Sequence, residues 1–440
     1  MKVAAKSIRI TPPIGLSIGG NVRADDKSRG IHDDLFCNAV FFSKNDTDVL
    51  FLSFDLLLLM LDQCHDIKQR VSKATGVPVQ NIMVNVTHTH SGPDTGDIFK
   101  VERHSDAVEY LDKAFANIAE ELTDIRCEAE ECDCYFACSC IEDLSFNRRL
   151  VMKDETLKMN WMGVNPEDVL RTTGPIDPQL SVFQVVSKAS GQVKAMMINF
   201  TLHPAILVGK DWLYSRDYIH FLTVDLKKVY GESVTVWFSN GAEGNINHIN
   251  YKDLNQGRGF EEAARIGQRL AMYIDEAIKD KIKLQSETLK SVMSPAQLPI
   301  RKLSEKTVKD AKELWEACGG VYPSLLDGVP DEVYAREIIK LASMNEEFIT
   351  TELQAVNLCG ILIVSFPGEV FVEFGLEVKE RSGFKNTVVV GLANDYVGYI
   401  PNKAAFSQGG YEIKTAQSSK LSETAGETLV QCVLDLIQRL

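Results

Sequence analysis

The chain has 440 residues, 45% of them hydrophobic and 25% charged, with a formal net charge of −14. That composition belongs to a globular protein with a substantial core and excludes disorder over the whole length. The excess of 61 acidic over 47 basic residues also argues against nucleic acid and anionic membranes as partners, because the net field repels phosphates.

The N-terminal segment Met1-Lys2-Val3-Ala4-Ala5-Lys6 lacks the apolar stretch of a signal peptide, so the expected compartment is the cytoplasm. Residues 3–10 read as a strand ended by Pro12-Pro13. The β-branched and aromatic runs 36–42 and 49–54 flank Lys44-Asn45-Asp46 and predict a hairpin. The longest apolar run, Leu56-Leu57-Leu58-Leu59-Met60-Leu61, is far shorter than the roughly 20 residues a membrane span needs, and no span is expected. A helix is expected over 63–74, closed by Gly76. A short buried strand over 82–86 then runs into Thr87-His88-Thr89-His90-Ser91-Gly92-Pro93.

Further on, 107–122 is an amphipathic helix, and 127–140 and 180–200 read as antiparallel strands. Cys132, Cys134, Cys138 and Cys140 would share one face of such a strand, as free thiols or as a second metal site. Their spacing is not that of a zinc ribbon, and ten cysteines fit reduced thiols. Residues 234–238 are a buried strand leading into Ser239-Asn240-Gly241-Ala242-Glu243-Gly244, and 260–278 a long helix. Two charged helices, 302–317 and 331–344, surround the Gly/Pro-rich stretch 319–330 and predict a lid or insertion at about 302–346. Residues 353–366 and 388–392 return to strand, and 424–438 closes with a helix. The order is mixed and not strictly alternating. It predicts an α/β fold of mixed β-sheets with packed helices, forming one large catalytic domain over 1–440.

Eight histidines are present, and three of them (His88, His90 and His203) stand at predicted strand ends beside small or turn residues. In extended backbone, residues two apart point the same way, so His88 and His90 can address one pocket. Imidazole is the commonest zinc ligand, and a catalytic zinc takes three protein ligands and an open position. Two structural histidines would give the same HxH spacing. His203 precedes Pro204, which stops strand pairing and exposes the side chain. Glu369 follows another buried strand, in Phe366-Pro367-Gly368-Glu369, where it would equally suit the first turn of a helix. Tyr396 and Tyr399 lie in Asn394-Asp395-Tyr396-Val397-Gly398-Tyr399.

Taken in order, Ile10-Thr11-Pro12-Pro13-Ile14-Gly15, His32-Asp33-Asp34-Leu35, Ser53-Phe54-Asp55, the Thr87–Pro93 segment, Leu202-His203-Pro204, the Asn240–Asn247 segment, Pro367-Gly368-Glu369 and the Gly391–Tyr399 segment resemble the neutral/alkaline ceramidase family. The resemblance implies a zinc ion held by His88, His203, Glu369 and Tyr399. It implies a place for His90 near the substrate carbonyl and a substrate contact for Arg148 in Phe146-Asn147-Arg148-Arg149, with Arg149 as the adjacent alternative. One departure is chemical. Where ceramidases carry a serine, this chain has Asn247, in Gly244-Asn245-Ile246-Asn247-His248. A carboxamide cannot replace that hydroxyl as a nucleophile, but it can donate a hydrogen bond to an oxyanion. The C-terminal β-sandwich of ceramidases is not expected here.

The resulting reading is a zinc-dependent amidohydrolase cleaving a small N-acyl compound with metal-activated water. His90, Arg148 and Asn247 would stabilise the oxyanion, and His248 or His90 would pass a proton to the leaving amine. An esterase, lactonase or lyase on the same scaffold is the alternative, as is a non-catalytic ligand-binding homologue. The expected partner is a small-molecule substrate, and the sequence carries no signal of oligomeric state.

Overall fold

The computed structural model describes residues 1–20, 26–96, 98–99, 105–209, 211–286, 288–320 and 329–440. The chain begins with strand β1 (Lys2–Arg9), then the hairpin β2 (Phe36–Lys44) and β3 (Thr47–Phe54). Its two-residue turn is Asn45-Asp46, both at positive φ (47° and 61°), as a tight hairpin of matching twist requires. Helix α1 (Leu61–Thr75) ends on Gly76 at φ 74°, whose N–H reaches the Ser72 carbonyl. Strand β4 (Ile82–Val86) pairs parallel with β3, and α2 (Ser105–Glu121) follows. Then come β5 (Glu130–Cys140), β6 (Gln179–Ser187), β7 (Val193–Asn199), α3 (Tyr218–Tyr230), β8 (Thr235–Ser239) and α4 (Gly259–Lys279). These strands form one sheet in the order β8-β7-β6-β5-β1-β2-β3-β4, with Ile282–Lys283 added to β5.

A second sheet is built from β9 (Leu289–Pro299), β10 (Phe348–Leu358), β11 (Ile361–Ser365) and β12 (Thr387–Val390), in that order. Helices α5 (Glu305–Ala317) and α6 (Asp331–Ala342) lie between β9 and β10, α7 (Val372–Arg381) between β11 and β12, and α8 (Ala425–Ile437) near the end of the chain. The two sheets pack face to face through Phe42, Phe51, Phe183, Trp237, Val356 and Ile363, among others. The first sheet's outer face is covered by α1 and α2 at one end and α3 and α4 at the other. The second sheet's outer face is covered by α7 and α8. Helices thus cover the outer faces of two packed mixed sheets, as expected from the mixed element order. Among the described residues, no helix is long and apolar enough to cross a membrane.

Two expectations need correction. The apolar run 353–366 is not one strand: it folds back at Cys359-Gly360, both at positive φ (55° and 88°), into the β10–β11 hairpin. The run 180–200 likewise divides into β6 and β7. In 353–366 the flanking residues are apolar and buried almost without a break, whereas the β6–β7 turn is the exposed polar stretch 188–192 with Gly191 at φ 71°, a turn signal that the reading passed over. The four cysteines of β5 do lie on one face, but only half of that face is covered: Cys132 and Cys134 are buried, and Cys138 and Cys140 are exposed. All are free thiols, and no metal-capable group among the described residues includes them. The centre of the predicted lid, 321–328, lies outside the described residues.

Candidate metal centre

The strand pairs β3–β4, β7–β8 and β11–β12 are each parallel, and the loops that leave their C-terminal ends meet: Asn240 Nδ2 donates to the Thr87 carbonyl at 2.8 Å, and the Gly391 N–H donates to the Asn240 carbonyl at 3.0 Å. Sites in α/β folds are assembled at such ends. His88 follows β4, His203 follows β7, Glu243 follows β8, Glu369 follows β11, and Tyr396 and Tyr399 follow β12. Glu369 and Tyr399 are register partners in a short parallel bridge, Glu369–Val370 with Tyr399–Ile400. Close backbone approach makes this convergence possible. A Cβ on Gly244 would come within 2.4 Å of the Glu369 carbonyl oxygen, and one on Gly391 within 2.2 Å of the Gly241 carbonyl oxygen.

His88, His90 and His203 meet: each offers a ring nitrogen within 4.8 Å of the others. The Nε2 atoms of His90 and His203 are 3.0 Å apart, and His88 Nε2 is 3.7 Å from Glu369 Oε2. The expected geometric reason was wrong. His88 is not extended but sits at φ 68°, and the turn there aims its ring at the other two. His88 Nδ1 is tied to the Leu57 carbonyl at 2.5 Å, which leaves Nε2 facing the cluster. Burial lowers the His88 pKa against the pull of Glu369, and burial together with His88 and His90 lowers that of His203 well below the ordinary imidazole value. Both rings are therefore held neutral, the state a metal ligand requires.

Glu369 is 2% exposed. Its Oε1 accepts the Tyr396 hydroxyl at 2.7 Å, while Oε2 has no hydrogen-bond partner among the described residues. A buried carboxylate oxygen without a partner is costly unless a cation or donor meets it. The orphaned oxygen, together with two neutral imidazoles held by burial, fits a divalent metal at this point. Tyr399 is buried and packs edge to face with Tyr411, ring centroids 5.7 Å apart. Burial first, then the Glu369 charge, raises the Tyr399 pKa well above the ordinary phenol value.

Arg148 is drawn into the same place and is 4% exposed. Its Nε donates to Glu412 Oε1 at 2.8 Å, its Nη2 donates to the Gly244 carbonyl at 2.7 Å, and its guanidinium lies 5.5 Å from the Tyr399 ring centre. Burial opposes its charge, but Tyr399, Glu412 and Glu369 outweigh that and push its pKa up. Arg149 turns away, donating to Glu412 Oε2 and the Gly409 carbonyl, both at 2.6 Å. Of the two neighbouring arginines, Arg148 faces the centre.

Two further sequence candidates are held by partners of their own. Asn247 is engaged in a reciprocal pair with Asn160: each Nδ2 donates to the other's Oδ1 at 2.8 Å. That leaves one of its two N–H groups for another acceptor. His248 faces α4. Its pKa falls to about 4, through burial first, with Glu262 pulling up and Arg265 pushing down. Its charged neighbours are thus helix residues, and it stays neutral at the pH where a proton shuttle must titrate.

Sequence reasoning missed Glu243, Tyr411, Glu412 and Trp161. Glu243 is fully buried with both carboxylate oxygens unpartnered, and burial and then Glu369 raise its pKa well above the carboxylate range. It lies within the Asn240–Asn247 segment but carries no pattern of its own. Tyr411 and Glu412 come after the last recognisable motif, where no signal marks them. A second histidine group, His32, Asp33 and His220, is an ion-pair network. Asp33 accepts from His32 Nδ1 (2.8 Å), Ser215 Oγ (2.5 Å) and the Arg216 N–H (2.9 Å), and Arg216 Nη2 lies 3.2 Å from His220 Nδ1. A guanidinium in that position leaves no room for a second cation.

Comparison with solved structures follows this geometry. Neutral ceramidase from Pseudomonas aeruginosa superposes with a TM-score of 0.75 at 17% sequence identity, covering 100% of this chain and 75% of that one. A second structure, ceramidase complexed with C2, gives 0.73 at 16%, with the same coverage. The chain has the ceramidase fold. This agrees with the resemblance read from its motifs. No protein-family model and no curated protein matches the sequence.

Proposed function

We propose that the chain is a diverged member of the neutral ceramidase family, a metal-dependent hydrolase that cleaves the amide of a small N-acyl compound. One observation carries this reading: three imidazoles converge at parallel strand ends beside a buried carboxylate oxygen that has no other partner. His88, His203, Glu369 and Tyr399 would hold zinc, with His90 on the more exposed side. When bound, zinc supplies a water of lowered pKa and polarises the carbonyl.

The protein's own groups do the rest. Tyr396 fixes the orientation of Glu369, and the Leu57 carbonyl fixes the His88 tautomer. Arg148, anchored on Glu412, directs positive charge at the developing oxyanion without needing to reorganise. His90, the most exposed of the three imidazoles, is the group placed to pass a proton to the leaving amine. Asn247 has one N–H left to assist Arg148. The α5–α6 pair is read as an insertion that supports the site wall. The Gln417 N–H donates to Glu337 of α6 at 3.0 Å, a few residues after Tyr411.

The test is metal analysis of zinc-loaded protein, combined with turnover of a panel of N-acyl amides, esters and lactones. About one zinc per chain is expected, with amides the best substrates. Wild-type metal content in both His88→Ala and His203→Ala would overturn the ligand assignment, and turnover confined to esters or lactones would overturn the amide.

A further inference from the structure

The metal-ligating residues are buried, but the wall beside them is not. Trp161 is 43% exposed and Met162 61%, whereas Arg148, whose guanidinium lies 5.4 Å from the Trp161 ring centre, is 4% exposed. Trp161 touches Tyr411 edge to face at 6.2 Å, and Tyr411 in turn touches Tyr399 at 5.7 Å. An aromatic run thus leads from solvent to the centre, with Arg148 packed along it. Tryptophan is highly buried on average, so an indole left open beside buried polar machinery is a surface waiting for apolar cover.

The indole is not on a loose loop. Its neighbour Asn160 donates from its backbone N–H to the Arg148 carbonyl at 2.8 Å. Asn160 Nδ2 donates both to Asn247 Oδ1 (2.8 Å) and to the Ile249 carbonyl (2.7 Å), and its Oδ1 accepts from Asn247 Nδ2 (2.8 Å). Met159, on the other side of Asn160, is 1% exposed. Trp161 is therefore displayed from a rigid mount. That mount includes Asn247, the residue that stands where ceramidases carry a serine.

We propose that Trp161 is a substrate-contacting wall of this site, mounted on the Asn160–Asn247 amide pair, and that it takes the apolar part of the substrate's acyl group. The inference rests on the amide-hydrolase reading for its choice of substrate. Charge selects the acyl side over the amine side. Two guanidiniums, Arg148 and Arg149, share the single carboxylate of Glu412, at 2.8 and 2.6 Å. The charged group that touches the indole is the Arg148 guanidinium, 5.4 Å from the ring centre, which offers N–H donors to a carbonyl or carboxylate oxygen and none of the acceptors an ammonium needs. Besides the N–H it keeps for the oxyanion, Asn247 is then also a positioning residue that acts through Asn160.

The test needs neither metal nor turnover. Straight-chain carboxylates from acetate to decanoate are titrated into the metal-free full chain by calorimetry, with tryptophan emission followed in parallel. The Kd should fall about two- to fourfold per added methylene, the upper figure for full burial, with a blue shift of emission on decanoate binding. Trp161→Ala should flatten that dependence, and Trp161→Phe should restore most of it. Asn160→Ala should weaken decanoate about fivefold while leaving acetate unchanged, a split that general loss of structure does not produce. An unchanged chain-length dependence in Trp161→Ala, or no decanoate binding to wild type, would overturn the proposal. Decylamine binding as tightly as decanoate would overturn the acyl assignment. Absence of amide turnover with this binding pattern intact would overturn the functional reading alone.

Discussion

Glu412 offers the most decisive single perturbation. It is fully buried and holds Arg148 on one carboxylate oxygen at 2.8 Å and Arg149 on the other at 2.6 Å. Glu412→Ala removes two charge-assisted hydrogen bonds, each worth roughly 1.5–3 kcal/mol, and strands two guanidiniums that are 4% and 0% exposed. Breaking a buried pair by deleting one partner costs about 3–5 kcal/mol, so about 4 kcal/mol is expected, limited by whatever water enters the gap. For 440 residues the unfolding entropy near Tm is about 0.9 kcal/mol/K, so Tm should fall by roughly 4 °C. Arg148 would lose its aim, and a displacement of the order of 1 Å costs about 10² in turnover. Metal content should stay at the wild-type level, because Glu412 is not among the proposed ligands. Urea unfolding, calorimetry and metal analysis on one preparation read all three quantities. A stability loss under about 1 kcal/mol would refute the buried-pair argument, and metal lost in step with turnover would refute the separation of Arg148 from the ligand set.

Three further predictions follow from the same geometry. His88→Ala should lower metal content and turnover together, and His88→Gln, which keeps a polar side chain without an imidazole, should do the same; elemental analysis before and after dialysis against a chelator checks both. Gly244→Ala places a Cβ 2.4 Å from the Glu369 carbonyl oxygen, so it should cost about 1–3 kcal/mol and weaken metal retention by shifting Glu369, as read by denaturation and metal titration. Asp55 is pushed up to about 7, by burial first, with Arg216 opposing. Its folded pKa exceeds the unfolded one, so its contribution is full below about pH 4 and is lost as pH rises towards 7. Wild-type stability should therefore decline relative to Asp55→Asn over that window, and equal slopes for the two proteins in urea unfolding at pH 5 and 8 would rule this out.

Much of the architecture was legible because it is local. The β2–β3 hairpin announced itself through two β-branched runs around Asn45-Asp46, and the end of α1 through Gly76. The β10–β11 turn was not read, because its signals are only Asn357, which caps the Gly360 N–H at 3.0 Å, and Gly360 itself, set in a run whose other residues are apolar and buried. The metal candidates were legible by type: histidines and a glutamate placed at strand ends beside glycine and proline. The reason given for His88 and His90 was not the true one, since a left-handed turn at His88 and not a shared strand face brings the rings together. His248 had the right residue type and the wrong surroundings, which only the packing of α4 reveals.

The sequence by itself determined the element types, the mixed character of the sheets and the identity of most residues around the centre. These follow from periodicity, turn chemistry and motif order along the chain. Tertiary structure alone decided which groups meet. It joined Arg148 to Glu412 across 264 positions and Asn160 to Asn247 across 87, left Glu369 with one oxygen unpartnered, and kept Trp161 at the surface beside buried charge. The physical reason is that burial, orphaned polar atoms and ion pairing belong to pairs of residues brought together by sheet packing, and no local pattern encodes a pair whose members lie far apart in the chain.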